Sequence, residues 1–318
     1  MTGRKVVAIS GGIGGAKLAL GLARVLEPGC LTVIANTGDD FRHLGLAISP
    51  DIDTLTYVLA GLDDPVRGWG RRDETWNFMA ALGAIGGETW FQLGDADLAI
   101  HVERSRRLAA GETLSAITAD IVARLGIASR VLPMSDQPVA TRILTDAGWM
   151  DFQPWFVGRR CEPAVRGIAF AGVEAARPAP GVVAAMTAED VAAIVICPSN
   201  PFVSVDPILA VPGIRAALEA ASAPVVAVTP IIGGEAVKGP TAKMMRELGA
   251  TPSAAAVAAR YAGIADVFVG DVVDGRLAVP PGMGLVLAQT LMRSLDDREQ
   301  LARAVLTAAE RAASGRDG

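Results

Sequence analysis

The chain has 318 residues, of which 51% are hydrophobic and 20% are charged, so a large buried core is expected and extended disorder is excluded. Its formal net charge of −5 disfavours a protein that binds nucleic acid, because such proteins usually present a basic face. The length exceeds that of one compact domain, which predicts a core domain that carries an insertion.

The N-terminal residues predict two strands and a helix around a glycine-rich loop. Lys5–Ser10 and Leu31–Ala35 are short apolar strands, and Ala16–Leu26 has the apolar spacing of a helix. Strands that are apolar on both sides are typical of a parallel sheet covered on both faces. The loop Gly11–Gly15 lies between the first strand and the helix.

The composition changes after about residue 60, where tryptophan, glycine and charged residues cluster. Helices are predicted near Asn77–Leu82 and Leu114–Leu125. We therefore predict a mainly helical insertion domain at residues 65–135 and an α/β core formed by residues 1–64 and 136–318.

The second half of the chain returns to the parallel pattern. Alternating apolar residues in Ala140–Val157 predict a β-hairpin around Ala147–Gly148. The elements predicted after it are strand Ala192–Cys197, helix Pro212–Ala221, strand Pro224–Thr229, a helix from Thr241, strand Val267–Val269 and helix Asp297–Ala312. Short apolar strands that alternate with helices predict an α/β fold with a mainly parallel sheet.

The cysteines and the apolar runs limit the class of protein further. Cys30, Cys161 and Cys197 form no C-x-x-C pair, so we expect three buried thiols rather than a disulfide framework or a zinc site. The N-terminal apolar run is too short for a signal peptide, and no run approaches the ~20 apolar residues of a membrane span. We expect a cytoplasmic protein with no membrane partner.

The glycine-rich loop suits an anion. In GGIGGAK (residues 11–17), backbone N–H groups can approach a phosphate at the helix N-terminus. The loop is not a Walker A motif, because Ala16 and Leu18 stand where that motif has Gly and Ser or Thr. Lys17 replaces the third glycine of a dinucleotide-binding fingerprint. A tight turn that only packs the helix on the sheet is the alternative.

Two acidic groups follow. In NTGDD (residues 36–40), paired carboxylates beside a phosphate loop suit Mg²⁺, although by itself the pattern is better explained by a polar turn with a helix N-cap. Asp51 and Asp53 would face the same way in an extended chain, as metal ligands or as a base beside a metal. A cap by Asp53 or Thr54 on a helix that begins near Leu55 explains them equally well.

Later segments add further polar groups. A helix would place Asp97, His101 and Arg104 on one side, a pattern that by itself is best explained by a solvated polar face. The segments LPMSD (132–136), PSNP (198–201) and IIGGEAVKGP (231–240) supply hydroxyls, an amide and Lys238. The last two follow predicted strands, so they should meet the glycine-rich loop at the carboxyl edge of the sheet, where open α/β sheets bind ligands.

Seven segments together resemble one family, the 2-phospho-L-lactate transferases of coenzyme F(420) biosynthesis. The matching segments, over residues 6 to about 285, are GGIGGAKL (11–18), NTGDD (36–40), SPDIDT (49–54), LGDAD (93–97), LPMSDQPV (132–139), PSNP (198–201) and TPIIGG with VKGP (229–240). The resemblance implies a Rossmann-like α/β core with a smaller, largely helical domain, Mg²⁺ as the cofactor, and a homodimer.

The resemblance also implies the reaction. The donor is a guanosine diphosphate linked to a three-carbon acid, either 2-phospholactate or phosphoenolpyruvate, and the acceptor is the deazaflavin Fo, 7,8-didemethyl-8-hydroxy-5-deazariboflavin. The ribityl hydroxyl of Fo attacks the phosphorus nearest the acid, GMP leaves, and a phosphodiester forms. No motif reports whether phospholactate, phosphoenolpyruvate or phosphoglycerate is the three-carbon acid that is transferred.

Site residues are carried over motif by motif from the family. Asp53 is implied as the catalytic residue, as a contact to Fo and as a ligand of Mg²⁺, with Asp40 as a second ligand. Gln92 falls where the family has another contact to Fo, although some relatives carry a basic residue there. The other substrate-binding residues are Gly11, Gly12, Gly14, Gly15 and Lys17 for the donor phosphates, Ser199 and Asn200 for the guanosine end, and Ser135 and Asp136.

Two other classes of protein compete with this hypothesis. An NAD-dependent oxidoreductase needs an acidic ribose contact about 20 residues after its glycine fingerprint, and Asp39 and Asp40 are near that distance, but the third glycine is missing. A non-catalytic or regulatory nucleotide-binding relative of the same fold would share the glycine-rich loop more than the later motifs. The presence of SPDIDT, LGDAD and LPMSD therefore favours the enzyme.

Overall fold

The computed structural model describes residues 3–316, which form 14 strands and 11 α-helices. The strands are β1 Lys5–Ser10, β2 Leu31–Ala35, β3 Phe41–His43, β4 Leu46–Ile48, β5 Arg130–Pro133, β6 Ala140–Thr145, β7 Gly148–Asp151, β8 Gly167–Ala171, β9 Val191–Ile196, β10 Val225–Val228, β11 Ile231–Ile232, β12 Glu235–Ala236, β13 Val267–Asp271 and β14 Gly284–Ala288. The helices are α1 Gly12–Val25, α2 Pro50–Leu59, α3 Asn77–Ala84, α4 Asp95–Ala109, α5 Leu114–Arg124, α6 Val182–Thr187, α7 Asp206–Ala210, α8 Ile214–Glu219, α9 Thr241–Glu247, α10 Ala254–Arg260 and α11 Leu295–Arg316.

A seven-stranded sheet forms the centre of the molecule, in the order β14-β13-β10-β9-β1-β2-β5. Every neighbouring pair in it is parallel. The six strands from β5 to β13 follow the 3-2-1-4-5-6 order of doubly wound nucleotide-binding folds, so the predicted α/β class with a mainly parallel, Rossmann-like sheet is confirmed. The strand order reverses between β1 and β9, which makes their carboxyl ends the expected ligand-binding crevice.

Both faces of the sheet are buried. In β1, Val7 and Ile9 pack in one hydrophobic core with residues of α6 to α10, whereas Val6 and Ala8 pack in a second core with α1 and α11. Since successive side chains of a strand point to opposite faces, a strand covered on both sides must be apolar at every position. This explains why β1, β2 and β9 appear in the sequence as uninterrupted apolar runs.

Two long excursions leave the sheet. Between β2 and β5 the chain forms the β3–β4 hairpin and helices α2 to α5, with a small core around Ile48, Met79 and Leu93. Between β5 and β9 it forms a three-stranded antiparallel sheet in the order β7-β6-β8. Helices α3 to α5 fall inside residues 65–135, and the division into an insertion domain and a core stays a prediction.

Several element boundaries differ from the sequence prediction. The glycine-rich segment is not a loop: α1 begins at Gly12 rather than at Ala16. Helix α2 begins at Pro50 rather than near Leu55, because proline at the first helical position has a suitable φ and no N–H to satisfy. The second strand of the predicted hairpin ends at Asp151, and a π-helical turn at Pro154–Gly158 follows.

The predictions about the cysteines and about membrane spans can also be compared with the structure. The prediction of three buried thiols is wrong for Cys30 and Cys161, which are half-buried, and holds for Cys197. All three thiols are free. Within residues 3–316, no helix has the length and apolar character needed to cross a membrane.

Candidate functional site

A cleft of about 620 Å³ opens at the carboxyl ends of β1 and β9. It is lined by residues from segments that are far apart in sequence, including Gly14 after β1, Asp53 on α2 and Asn200 after β9. Thr229 after β10 and Thr290 after β14 complete the same edge of the sheet. The predicted meeting of the segments at 198–201 and 231–240 with the glycine-rich segment at the carboxyl edge is therefore observed.

The glycines allow helix α1 to pack closely on the segment after β9. A Cβ atom on Gly14 would overlap the backbone carbonyl oxygen of Pro198, and one on Gly15 would overlap the hydroxyls of Ser10 and Ser199. The N–H of Gly11 donates to Ser199 Oγ at 3.1 Å. Gly11, Gly12 and Gly14 line the cleft, whereas Gly15 lies behind it at this packing contact.

Asp51 lies at the N-terminus of helix α1. Its carboxylate accepts a hydrogen bond from the N–H of Gly12 at 2.5 Å and another from Asn36 Nδ2 at 2.9 Å. Burial, opposed by these two hydrogen bonds, raises the pKa of Asp51 to about 6. A protein carboxylate therefore already binds part of the helix end that the sequence predicted for the donor phosphates.

Asp39 extends the acidic part of the cleft. Its Oδ1 accepts from the same Asn36 amide at 3.3 Å, and its Oδ2 accepts from Gln153 Nε2 at 3.4 Å. Burial and the neighbouring Asp51 raise the pKa of Asp39 well above its ordinary value. Two carboxyl groups thus share one amide in a region poor in water, where both cannot ionise without a nearby positive charge.

Asp53 faces a different way from Asp51. Both residues lie in the first turn of α2, and residues two apart on a helix point in nearly opposite directions. The extended arrangement, one of the two explanations that the sequence left open, is therefore wrong. Both oxygens of Asp53 pair with the Arg104 guanidinium of α4, Nη1 donating to Oδ2 at 3.0 Å and Nη2 to Oδ1. This ion pair links α2 to α4 beneath the cleft.

The polar face of α4 is buried rather than solvated. His101 is 2% exposed and Arg104 1% exposed, so the explanation favoured for this pattern in the sequence is wrong. His101 Nε2 lies 3.1 Å from Asp97 Oδ2, its Nδ1 lies 3.6 Å from Asp53 Oδ2, and the Tyr57 hydroxyl donates to Asp97. Burial opposes ionisation of Asp97, but the contacts with His101 and Tyr57 outweigh it and hold its pKa below the ordinary value.

Two lysines line the cleft from different sides. Lys17 Nζ on α1 donates to the carbonyl of Met292 at 3.2 Å, and Lys238 Nζ, in the segment before α9, donates to the carbonyl of Gly68 at 2.5 Å. Burial and the neighbouring Arg298 and Lys238 lower the pKa of Lys17, and burial lowers the pKa of Lys238. Both side chains place positive charge where an anion would be held.

Aromatic residues form another part of the cleft wall. Trp69, Phe91, Phe152 and Phe156 line it, and Trp69 is 45% exposed. Planar apolar surfaces of this kind suit a flat ring system. The sequence motifs did not identify these residues; the tryptophan-rich composition near residue 70 was the one signal that pointed to them.

The remaining predicted site residues divide into two groups. Gln92 and Asn200 line the cleft; Gln92 Nε2 donates to the carbonyl of Thr89 at 2.8 Å, and Asn200 Oδ1 accepts from the N–H of Phe202 at 2.9 Å.

Ser135, Asp136 and Asp40 do not line the cleft. Asp136 accepts from the N–H of Ser115 at 2.7 Å at the start of α5, and Ser135 Oγ accepts from the N–H of Gln137 at 3.0 Å. These contacts give Ser135 and Asp136 a structural role, and the structure does not bring them to the other predicted site residues.

The acidic groups fit a cation that is shared with a ligand. Among residues 3–316, no three His, Cys, Asp or Glu side chains are arranged to hold a metal by themselves. Mg²⁺, however, commonly binds one or two carboxylates together with phosphate oxygens. Asp39, Asp51 and Asp53 line the cleft, and Asp40 behind it has a buried Oδ1 without a hydrogen-bond partner.

The chain is similar to known proteins over nearly its whole length. A family model described as 2-phospho-L-lactate transferase CofD matches residues 6–278. A phosphoenolpyruvate transferase from Streptomyces griseus is 40% identical over 315 residues, covering 96% of this chain and 98% of that protein. Proteins of the same description from Thermobifida fusca and Mycobacterium tuberculosis are 41% and 38% identical, covering 92% and 94% of this chain and 91% and 97% of their own lengths.

Solved structures with the same fold are more distant in sequence. Two crystal structures of protein BH3568 from Bacillus halodurans superpose on this chain with TM-scores of 0.62 and 0.64. One of them is described as a member of the UPF0052 family. They cover 95% and 96% of this chain and 99% of their own, at 16% sequence identity. This likeness confirms the fold alone.

Proposed function

Because the chain belongs to the 2-phospho-L-lactate transferase CofD family, and is therefore a transferase of coenzyme F(420) biosynthesis, we propose that it joins a phosphorylated three-carbon acid to the deazaflavin Fo. The donor in this proposal is the acid linked to guanosine diphosphate. The observation that carries the proposal is the single cleft that brings together Gly14, Asp53 and Asn200 from three separate family motifs.

The acid that we propose is phosphoenolpyruvate. The relatives that cover nearly the whole chain at 38–41% identity are described as phosphoenolpyruvate transferases. That description supports the enol acid over 2-phospholactate, although the two acids differ by little more than a methylene and a methyl group. We therefore treat 2-phospholactate as the second candidate donor in the experiment below.

The proposed reaction is a displacement at phosphorus. The terminal ribityl oxygen of Fo forms a bond to the phosphorus that carries the acid, the bond from that phosphorus to the bridging oxygen breaks, and GMP leaves with that oxygen. The hydroxyl proton is lost to solvent or to the leaving phosphate. Such a transfer depends on in-line positioning and on neutralising charge on the phosphate oxygens.

The residues of the cleft can perform these tasks. In this proposal Lys17 and the N-terminus of α1 bind the diphosphate, and Ser199 and Asn200, which line the same cleft, bind the guanosine end. Asp53 is held in one orientation by Arg104, so it is suited to direct the attacking hydroxyl. Trp69 and Phe91 offer flat apolar surfaces to the deazaflavin ring.

Magnesium is part of the proposal. Asp53 would hold Mg²⁺ together with phosphate oxygens of the donor, with Asp39 and Asp51 as neighbouring carboxylates and Asp40 as the second candidate ligand. When bound, Mg²⁺ would neutralise negative charge on the non-bridging oxygens. The raised pKa values of Asp39, Asp40 and Asp51, all caused mainly by burial, are those of a region in which a cation would stabilise the ionised carboxylates.

The test is one reaction series. The purified protein is incubated with Fo and Mg²⁺ and with either phosphoenolpyruvyl- or 2-phospholactyl-guanosine diphosphate, and the mass of the deazaflavin product and the release of GMP are measured. We expect product and GMP in equal amounts, with the phosphoenolpyruvyl donor preferred. Absence of any deazaflavin product with both donors would refute the proposed reaction.

A further inference from the structure

Lysine is rare in this chain, and its placement is informative. Only four of the 29 basic residues are lysine: Lys5, Lys17, Lys238 and Lys243. Lys5 pairs with Asp190 at 2.8 Å and Lys243 with Glu247 at 2.5 Å. Among the residues that the structure describes, neither Lys17 nor Lys238 has a carboxylate within 4.0 Å, and both line the cleft.

The environment of these two lysines is unfavourable for positive charge. Lys17 is half-buried and Lys238 is exposed, and Lys238 is one of the charges that lower the pKa of Lys17. Each ammonium group donates one observed hydrogen bond to a backbone carbonyl, so two of its three N–H donors remain for a ligand. A cation without a carboxylate at salt-bridge distance is stabilised when an anion binds to it, and this applies to each of the two lysines.

The two lysines belong to different parts of the cleft. Lys17 is on helix α1 near its glycine N-terminus, the part of the site that suits phosphate. Lys238 follows the short β11–β12 hairpin and reaches the carbonyl of Gly68, next to Trp69. Gly68 has a φ of +69°, a left-handed backbone conformation that favours glycine at the position that Lys238 contacts. Lys238 thus carries its charge to the side where the acceptor ring would lie.

The donor has two kinds of anionic group, a diphosphate and the carboxylate of its three-carbon acid. We propose that Lys238 binds this carboxylate, an anionic group that the donor has and GDP lacks. The proposal rests on the function proposed above and adds a residue that recognises the transferred acid. A compact ammonium group with free donors suits a carboxylate held at one point, whereas the planar guanidinium that this chain uses elsewhere suits a two-point contact.

The experiment compares two ligands on four variants. Binding of GDP and of phosphoenolpyruvyl-guanosine diphosphate, with Mg²⁺ and without Fo, is measured by calorimetry for the wild type and for Lys238→Met, Lys238→Arg, Lys17→Met and Lys5→Met. Lys5 is exposed on β1 and pairs with Asp190, so Lys5→Met is the control for loss of a lysine outside the cleft.

We expect Lys238→Met to weaken binding of the phosphoenolpyruvyl donor by about 10- to 100-fold while GDP binding changes less than about threefold, because one charged hydrogen bond is lost. Lys17→Met should weaken the binding of both ligands to a similar extent. Lys238→Arg should retain part of the affinity for the donor. Unchanged GDP binding also shows that Lys238→Met is folded.

Three results would overturn the assignment. If Lys238→Met lost affinity for GDP and for the donor equally, Lys238 would contact the diphosphate instead of the carboxylate. If it lost affinity for neither ligand, Lys238 would not belong to the donor site. An equal loss in Lys5→Met would make the effect one of overall charge. If the wild type binds neither ligand, the proposed function fails instead, so the two failures are distinguishable.

Discussion

At the scale of single residues, the ion pair of Asp53 with Arg104 determines what a substitution at the proposed catalytic position will do. Sequence reasoning alone predicts that Asp53→Asn reduces turnover far more than stability. The structure changes that prediction, because Asp53 is the partner of a guanidinium that is 1% exposed. Removing one member of a buried pair leaves the other charge without compensation.

We therefore expect Asp53→Asn to lower both turnover and the free energy of unfolding, the latter by about 3 kcal/mol. The double variant Asp53→Asn with Arg104→Met removes both charges and should recover much of the stability but none of the turnover. Urea unfolding and steady-state rates measure the two effects separately.

The control is Asp146→Asn, which breaks the exposed pair with Arg166 and should leave the urea unfolding midpoint close to that of the wild type. If the double variant regained turnover, Asp53 would have a structural role only. If Asp53→Asn alone were as stable as the wild type, the buried pair would not contribute to the fold in the way described here.

At the scale of elements, the N-terminus of α1 makes both a close packing contact and a hydrogen bond to a carboxylate. The helix begins at Gly12, close to the segment after β9, and the Asp51 carboxylate from α2 accepts its first N–H. One helix end thus fixes the positions of two neighbouring segments. Two predictions follow from this junction, one steric and one electrostatic.

The steric prediction concerns Gly14. Its Cβ would overlap the carbonyl oxygen of Pro198, a backbone atom that cannot move aside easily, so Gly14→Ala should destabilise the protein by about 1–3 kcal/mol. Gly83→Ala on α3 is the matched control, because its Cβ would meet only Thr89 Cγ2 at 3.6 Å and alanine favours helices. Equal unfolding midpoints for the two variants would contradict the close approach of α1 to Pro198.

The electrostatic prediction concerns Asp51, whose pKa is raised from 3.8 to about 6. A carboxyl that is harder to ionise in the folded state favours folding when protonated, and this contribution is lost as the pH rises from about 4 to 6. The Asp51→Asn variant lacks the carboxyl group, so this pH-dependent fall in stability is absent from it. The unfolding free energy of the variant minus that of the wild type should therefore rise between pH 4 and pH 7 by on the order of 2–3 kcal/mol.

Chemical denaturation at several pH values measures this difference directly. The other carboxyl groups cancel in the subtraction except Asp39, whose pKa is raised partly by Asp51 and which therefore adds to the difference in the same direction. A difference that stays flat across the range would show that the Asp51 carboxyl is not held in a desolvated position.

At the scale of the whole molecule, the cleft is assembled from segments that are distant in sequence. Residues near positions 12, 53, 69, 200, 238 and 290 all reach it, including residues inside the predicted insertion at 65–135. The buried contact between α2 and α4 joins that region to the rest of the protein. Ligand binding and global unfolding are therefore expected to be coupled.

We predict that GDP with Mg²⁺ raises the unfolding free energy of the entire chain, by about 2.7 kcal/mol at a ligand concentration 100 times its Kd. Circular dichroism and tryptophan fluorescence should give the same shifted transition, since Trp69, Trp76 and Trp90 lie in residues 65–135 and Trp149 and Trp155 lie outside them. Two separate transitions, of which GDP shifts only one, would instead show that the insertion unfolds independently.

The sequence by itself determined the sheet, the family and the region of the site. Apolar runs such as β1 and β9 are long enough to specify buried parallel strands, and the glycine and acidic motifs follow those strands directly. Because parallel strands bring their carboxyl ends to one edge, motifs that follow strands must meet there. That much depends only on local pattern and on the geometry of parallel sheets.

The tertiary structure decided which polar groups face the cleft and which pair with one another. Asp51 and Asp53 diverge because α2 begins earlier than the pattern indicated, and Arg104 is buried because it meets Asp53, 51 positions away. Ser135 and Asp136, although part of a family motif, hold local structure outside the cleft. The energies of charged and polar groups depend on distance and burial in three dimensions, and sequence spacing does not contain these quantities.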